Sequence, residues 1–263
     1  MLTLITSLYK SEKYLKNYLK SVIKFAQYFQ SSKIKWELII IINSPSEKER
    51  EIISALKKYN WINYLEVDRE PLYATWNRGI KMARYNNIGF WNVDDIRHPR
   101  AAVDGLKLLE QGADLVYFPF TIKWRFNILS FSVPIKKKDI KPIHFNKENF
   151  GKGMHCGPFF IFKKSLYQQV GPFDEQFKIA GDFDWCVRAS KKTDKFSLSA
   201  FNGGLFRVDG QGLSAGSKKR FILENNIVLA RHHLPYKLEG FNQEEISKFE
   251  INQLLYNNKF INF

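Results

Sequence analysis

The chain has little cysteine, no long hydrophobic run and a shortage of acid. Cys156 and Cys186 are the only cysteines among 263 residues, too few for a disulfide framework and without the paired spacing of a structural zinc site. They read as buried thiols in a reducing compartment. No window reaches the ~18 to 20 apolar residues that a membrane span needs, and the start, MLTLITSLYK, shows neither a basic leader segment nor a small-residue cleavage site. The expectation is a cytoplasmic protein whose membrane contact is at most peripheral. There is no internal repeat or low-complexity tract, and no zinc-finger or RNA-binding signature accompanies the basic residues.

The acid shortage amounts to 26 Asp+Glu against 41 Lys+Arg, a formal net charge of +15. Such an excess attracts anionic partners over a distance, whether phosphate ligands, nucleic acid or a lipid surface. It does not choose among them, and the run Lys136, Lys137, Lys138 is equally a solvated face. The length allows one large domain with a sizeable core.

What is present is an alternation of strand and helix patterns. Leu2 to Leu8 reads as a buried strand, and Ser11 precedes a helix with Leu15, Leu19, Val22 and Ala26 on one face. IKWELIIII, Ile34 to Ile42, is the continuous apolar run of a strand covered on both sides. Ser46 and Glu49 have capping-box spacing ahead of a second helix. INYLEV is a third strand, the region from Leu72 to Tyr85 a third helix, and IGFWN a fourth strand. A helix from Pro99 that ends at Gly112 leads to a fifth strand, DLVYF. This order predicts an α/β fold with a mixed, mostly parallel central sheet flanked by helices, and ligands beyond the carboxyl ends of its strands.

The second half is less regular. TIKWRFN and ILSFSV alternate as an antiparallel ribbon. Lys136 to Gly153 reads as basic and irregular, CGPFFIF as a strand, and GDFDWCVRASKK as a helix opened by Asp182. Asp184 and Arg188, four apart, are expected to pair on its surface. NGGLFRVDGQGLSAGS, with five glycines, reads as a flexible loop that could serve as a lid, and the remainder as mainly helical.

The adjacent carboxylates of FWNVDDIRHP stand just past the fourth strand. Neighbouring carboxylates repel unless a cation or hydrogen-bond donors offset them. A divalent metal would do so, because Mg²⁺ is commonly held by one or two carboxylates and a substrate's phosphates. Helix capping before Pro99 is the plainer alternative.

Five stretches in order, LITSLYKSEKYLKNYLKSV, WELIIIINSPS, PLYATWNRGIKMA, NVDDIRHP and GPFDEQFKIAGDFDWCVRA, resemble a family 2 glycosyltransferase of the GT-A (Rossmann-like) fold, over about Leu2 to Ser217. The resemblance implies an inverting transferase that uses a nucleotide-diphosphate sugar, a UDP-sugar foremost, and a divalent metal, Mn²⁺ or Mg²⁺. It implies metal binding at Asp94 with Asp95 beside it, and Asn92 at the motif's first acidic position. Leu8 and Tyr9 match residues that border the nucleotide base, and Asn43 stands near the usual base-reading aspartate. Asn77 matches the Asn of the third helix, while Trp76 replaces a frequent Arg. Asp182 matches the aspartate that deprotonates the acceptor, with Gly181 in place of the preceding Glu; it could cap its helix as well.

The implied organisation is one GT-A domain over residues 1–263, with a donor-binding half to residue 118 and an acceptor-binding half, ending in a helical tail, from residue 119. The acceptor would be a glycan or lipid-linked molecule of cell-surface polysaccharide synthesis, and no specific nucleic acid is expected. A nucleotidyltransferase of similar strand-helix order, or a basic nucleic-acid-binding protein, are the rival readings.

Overall fold

A computed structural model describes residues 1–128, 131–209, 217–237, 241–247, 249, 253–256 and 259–262. In its first half β1 (Leu2–Leu8), α1 (Glu12–Ser31), β2 (Trp36–Asn43), α2 (Glu47–Ser54), β3 (Ile62–Val67), α3 (Leu72–Met82) and β4 (Asn87–Phe90) alternate. A short β5 (Ile96–Arg97), α4 (Pro99–Glu110) and β6 (Leu115–Tyr117) follow. Then come β7 (Phe120–Ile128), β8 (Phe131–Ile140), α5 (Lys147–Phe150), β9 (Ile161–Lys163), α6 (Lys164–Val170), α7 (Gly181–Lys192), β10 (Phe196–Leu198) and β11 (Gly204–Val208). The chain continues through α8 (Lys218–Arg231), α9 (Gln243–Ser247), β12 (Gln253–Tyr256) and β13 (Lys259–Asn262).

The central sheet has the order β10-β6-β9-β4-β1-β2-β3. Every pairing is parallel except those of β9, which runs antiparallel to β4 and β6. All eight residues of β2 are buried. Successive side chains of a strand point to opposite faces, so Leu38, Ile40 and Ile42 join one apolar cluster with α1 and α4, while Ile39 and Ile41 join another with α3 and α7. The helices supply matching stripes: Leu15, Tyr18, Val22, Phe25 and Phe29 from α1, and Tyr73, Trp76 and Ile80 from α3. Fully burying each such side chain stabilises by roughly 1.5–3 kcal/mol.

The loops at the carboxyl ends of β1 and β2 are tied together. Ser46 and Glu49 form the capping box of α2, and Glu49 also accepts the Ser11 N–H at 2.6 Å. Ser11 flanks the start of α1 without capping it through its side chain.

A second sheet, β5-β11-β7-β8, overturns two expectations. The basic residues Lys136 to Lys138 lie in β8, whose pairing with β7 runs past the expected ribbon. Gly204–Val208 of the glycine-rich segment form β11, parallel to β7 and antiparallel to β5. These segments gain partners from distant parts of the chain, which local composition does not reveal. The rest of the expected lid, residues 210–216, lies outside the described residues. CGPFFIF yields only the short β9, and the expected helical tail contains the β12–β13 hairpin. Asp184 and Arg188 do pair, at 2.8 Å, yet in the core rather than on the surface. Cys156 and Cys186 are both buried thiols.

Candidate active site

The acidic doublet splits at a turn. After β4, Trp91 is buried and donates its backbone N–H to Ile5, and the Asp95 N–H returns to the Asn92 carbonyl. Asp95 faces inward and is 2% exposed. Its Oδ1 accepts the Arg207 backbone N–H at 3.0 Å and its Oδ2 the Asn92 amide at 3.2 Å. Burial first, and the Asp94 charge second, hold its carboxyl well above the usual range. Asp95 thus fastens β11 to the turn, and the structure does not set it beside Asp94 as a matched pair of ligands.

Asp94 remains partly exposed. Its pKa is raised by burial and by the negative charge of Asp209, against the pull of Arg207 and Lys13. Asp209 accepts the Tyr14 hydroxyl at 2.6 Å and lies 3.7 Å from the Lys13 ammonium. Among the described residues no three His, Cys, Asp or Glu side chains converge as in a protein-only cage. The donor set at Asp94, carboxylate oxygen with a second carboxylate in its field, fits a hard cation that completes its shell with phosphate and water.

The residues expected to border a nucleotide base lie at the carboxyl ends of β1 and β2. Leu8 is buried. Tyr9 is 38% exposed, with the Arg69 guanidinium 3.3 Å from its ring centroid. Beyond the ends of β2 and β3 is a cavity of about 590 Å³ whose lining includes Ser44, Pro45, Arg50, Arg69 and Arg78. Asn43 lies beneath, 1% exposed, and its amide joins Ser7, the Leu8 carbonyl and Thr75 while its oxygen accepts the Glu70 N–H. It shapes the loops around the cavity rather than projecting into it.

Asn77 is spent within the protein. Its amide nitrogen donates to the Phe173 carbonyl and to Glu175, and its oxygen accepts from the Phe173 N–H and the Tyr167 hydroxyl. Trp76 lies stacked on Phe90 with ring centroids 3.7 Å apart. Both residues join α3 to the core, which accounts for an indole where a cation is frequent.

Asp182 stands in the first turn of α7. Its Oδ1 accepts the Phe183 N–H at 2.9 Å and lies 3.2 Å from the Tyr73 hydroxyl, which also donates to the Ile179 carbonyl at 2.7 Å. The residue keeps partial exposure, but its carboxyl sits deep. Burial pushes the pKa up to about 6, the two hydrogen bonds oppose this, and Glu224 adds to it. Gly181 is required here, because a Cβ would stand 2.6 Å from the Tyr73 ring. The ring occupies the room that a Glu at this position would need.

Two ring contacts lead from Tyr73, the partner of Asp182, to the strand before Asp94. Tyr73 packs edge-on against Trp76, and Trp76 stacks on Phe90, the last residue of β4. Asp182 and the Asp94 turn are therefore both built at the carboxyl end of the sheet.

Glu224 of α8 fixes the approach to α7. It is fully buried and accepts the successive backbone N–H groups of Lys178, Ile179 and Ala180, together with the Arg220 guanidinium. Tyr73, Asp209, Arg207 and Glu224 escaped the reading of the sequence. Tyr73 lay inside a quoted motif and Asp209 inside the glycine-rich segment, but Glu224 left no local signal.

Residues 3–171 match the model of glycosyl transferase family 2. The chain belongs to that family. This family 2 transferase is 27% identical over 200 residues to the uncharacterised glycosyltransferase MJ1057 of Methanocaldococcus jannaschii, a match covering 71% of this chain and 63% of that protein. The chain thus spans less than two thirds of that curated relative. Its fold is that of solved GT-A glycosyltransferases. S. aureus TarS 1–349 in complex with UDP-GlcNAc superimposes with a TM-score of 0.67 at 16% identity, over 93% of this chain and 70% of that one. The mannosyltransferase PcManGT of Pyrobaculum calidifontis, in complex with GDP-Man and Mn²⁺, gives 0.59 at 12% identity, over 88% and 61%. The family match takes in the Asp94 turn and stops short of Asp182, Asp209 and Glu224.

Proposed function

We propose that this glycosyltransferase moves a sugar from a nucleotide-diphosphate donor to an acceptor hydroxyl with inversion, and that Asp182 is its base. The reading is carried by two aspartates at one end of the sheet, Asp94 and Asp182, each a partly exposed residue whose carboxyl pKa is raised by burial. A base with a pKa near 6 is ionised at neutral pH and basic enough to take a proton as the acceptor oxygen attacks. The Tyr73 hydroxyl and the Phe183 N–H hold one oxygen of Asp182, so the other is the one turned to the acceptor.

Leu8 and Tyr9 border the nucleoside, next to the cavity that Arg69 lines, and Asn43 sets the shape of that wall. Nucleotide sugars in the related structures, UDP-GlcNAc and GDP-Man, support a donor of this class, with a UDP-sugar favoured. Asp94, with Asp209 in its field, would hold Mn²⁺ or Mg²⁺, which supplies Lewis-acid stabilisation to the departing diphosphate. Asn92 and Asp95 keep the Asp94 turn in place. Residues 1–118 form the donor half and 119–263 the acceptor half of a single domain. The acceptor is a glycan or lipid-linked molecule on the cytoplasmic side; among the described residues no helix is long and apolar enough to cross a membrane.

The test is a panel of nucleotide sugars with Mn²⁺, assayed for nucleoside diphosphate release in the presence of candidate acceptors. Release of pyrophosphate instead would mark a nucleotidyltransferase. Asp182→Asn is expected to lower kcat by ~10² to 10⁴ while leaving donor affinity in place. Full turnover in that variant would remove Asp182 from the mechanism.

A further inference from the structure

Arg207, Lys123 and Lys137 stand directly opposite one another on three neighbouring strands. Arg207 of β11 pairs with Lys123 of β7, and Lys123 pairs with Lys137 of β8. Directly opposed residues project from the same face of a sheet, and like charges so placed destabilise it. Lys123 carries the consequence: its side chain is partly covered, and the pKa of its ammonium is lowered by burial first, then by the charges of Arg125, Lys137 and Arg207. Among the described residues neither Lys123 nor Lys137 has a carboxylate at salt-bridge distance. The acid on this face of the hairpin, Asp139, accepts the Thr121 hydroxyl at 2.6 Å.

The row begins at the candidate active site. Asp95 holds the Arg207 backbone, the Arg207 charge acts on Asp94, and its guanidinium lies 5.7 Å from the Tyr14 ring centroid. Strands in a sheet lie about 4.8 Å apart, so the row runs roughly 10 Å outward from Arg207. A leaving diphosphate at Asp94 gives a use to Arg207, but not to two further lysines extending away from it. The folded chain tolerates three aligned cations where alternating or polar residues would cost less, and an anion laid across them removes that cost.

We propose that the row Arg207, Lys123, Lys137 is the binding track of a phosphate-bearing acceptor, leading its hydroxyl toward the transferred sugar. The proposal names the acceptor class for the transfer proposed above and rests on that reading. Phosphate of this kind occurs in phosphodiester-linked glycans and in lipid-phosphate carriers. The row begins at the site and lies in register across three strands, which favours a defined ligand over general adhesion to an anionic surface.

The experiment compares the full chain with Lys123→Gln/Lys137→Gln and with Lys57→Gln/Lys58→Gln. The latter removes the same charge from two exposed lysines in the turn that follows α2. Titration calorimetry at low salt measures short-chain polyphosphate, neutral dextran, and UDP-GlcNAc with Mn²⁺. Sedimentation measures phosphatidylglycerol and phosphatidylcholine vesicles. The row variant should bind polyphosphate about tenfold more weakly and the control at most about twofold, in keeping with loss of specific phosphate contacts. Dextran should not bind, and the thermal midpoint and UDP-GlcNAc affinity should hold in both variants. Loss of vesicle binding along with polyphosphate binding in the row variant would support the track and point to the lipid-phosphate source. Loss of polyphosphate binding alone would support it and point to a phosphodiester glycan. Equal losses in both variants, unchanged polyphosphate binding, or loss of vesicle binding alone would overturn the proposal. Absence of sugar-nucleotide binding by the unaltered chain would instead count against the donor reading, and the polyphosphate comparison would still decide the track.

Discussion

Tyr73 reaches from α3 to α7, where its hydroxyl lies 3.2 Å from Asp182 and its ring fills the space beside Gly181. A hydrogen bond to the charged form of a carboxyl favours that form. Removing it with Tyr73→Phe should therefore raise the pKa of Asp182 above its present value of about 6. The acid limb of kcat/KM should move to higher pH, with donor affinity kept. An unmoved limb would show that the contact does not act on the base.

Asp94 and Asp95 should separate in their effects despite being neighbours. Asp94→Asn should abolish Mn²⁺-dependent stabilisation by sugar nucleotides in thermal melts while leaving the apo melting point nearly intact. Asp95→Ala leaves the Arg207 N–H and the Asn92 amide without their acceptor, and a buried unsatisfied group costs about 1–3 kcal/mol. Chemical denaturation should record that loss. Identical behaviour of the two variants would argue against the division of roles.

Glu224→Ala should injure the molecule more than Arg220→Ala. The first strands three consecutive backbone donors, at about 1–3 kcal/mol for each group that finds no water. The second removes a guanidinium whose side chain is 37% exposed. Because the freed segment leads directly into α7, kcat should fall more than donor affinity in Glu224→Ala.

Acid should act on the core pair in two stages. Arg188, His232 and Arg231 outweigh burial and hold Asp184 below its usual range, and burial lowers His232 although Asp184 pulls the other way. Lys191 donates to His232 Nδ1, so the ring proton sits on Nε2, facing Asp184. Both groups have folded pKa values below their unfolded ones, so both contribute stability at neutral pH that is lost as pH falls. The His232 contribution should decline below about pH 6.5 and that of Asp184 below about pH 4. Asp182 works in the opposite sense: its raised pKa means that its ionisation disfavours the fold as pH climbs from about 4 to 6. Asp184→Asn should cost about 3–5 kcal/mol, as breaking a buried pair does. Its urea midpoint should also depend less on pH between neutrality and pH 3 than that of the unaltered chain.

The spacing of Asp184 and Arg188 shows how far the sequence could be read. Four residues along a helix place two side chains side by side, and the ion pair follows from that alone. Its burial depends on Arg231 and His232, which arrive from α8. The glycine-rich segment behaves likewise, since a strand such as β11 exists by virtue of its partner, and β7 lies about eighty residues earlier. Asp94 and Asp95 were legible as acids after a strand, but which of them turned inward depended on the backbone of Arg207.

By itself the sequence determined the parallel core. Unbroken apolar strands and helices with one greasy face have few other ways to hide from water, and their period is local information. It also determined where Asp94 and Asp182 fall relative to those elements. Only the tertiary structure decided that Asp95 turns inward, that Tyr73 takes the room beside Gly181, and that three cations line up across β11, β7 and β8. Each of these depends on pairing or close packing between residues far apart in the chain, and such contacts exist only once the backbone has closed around them.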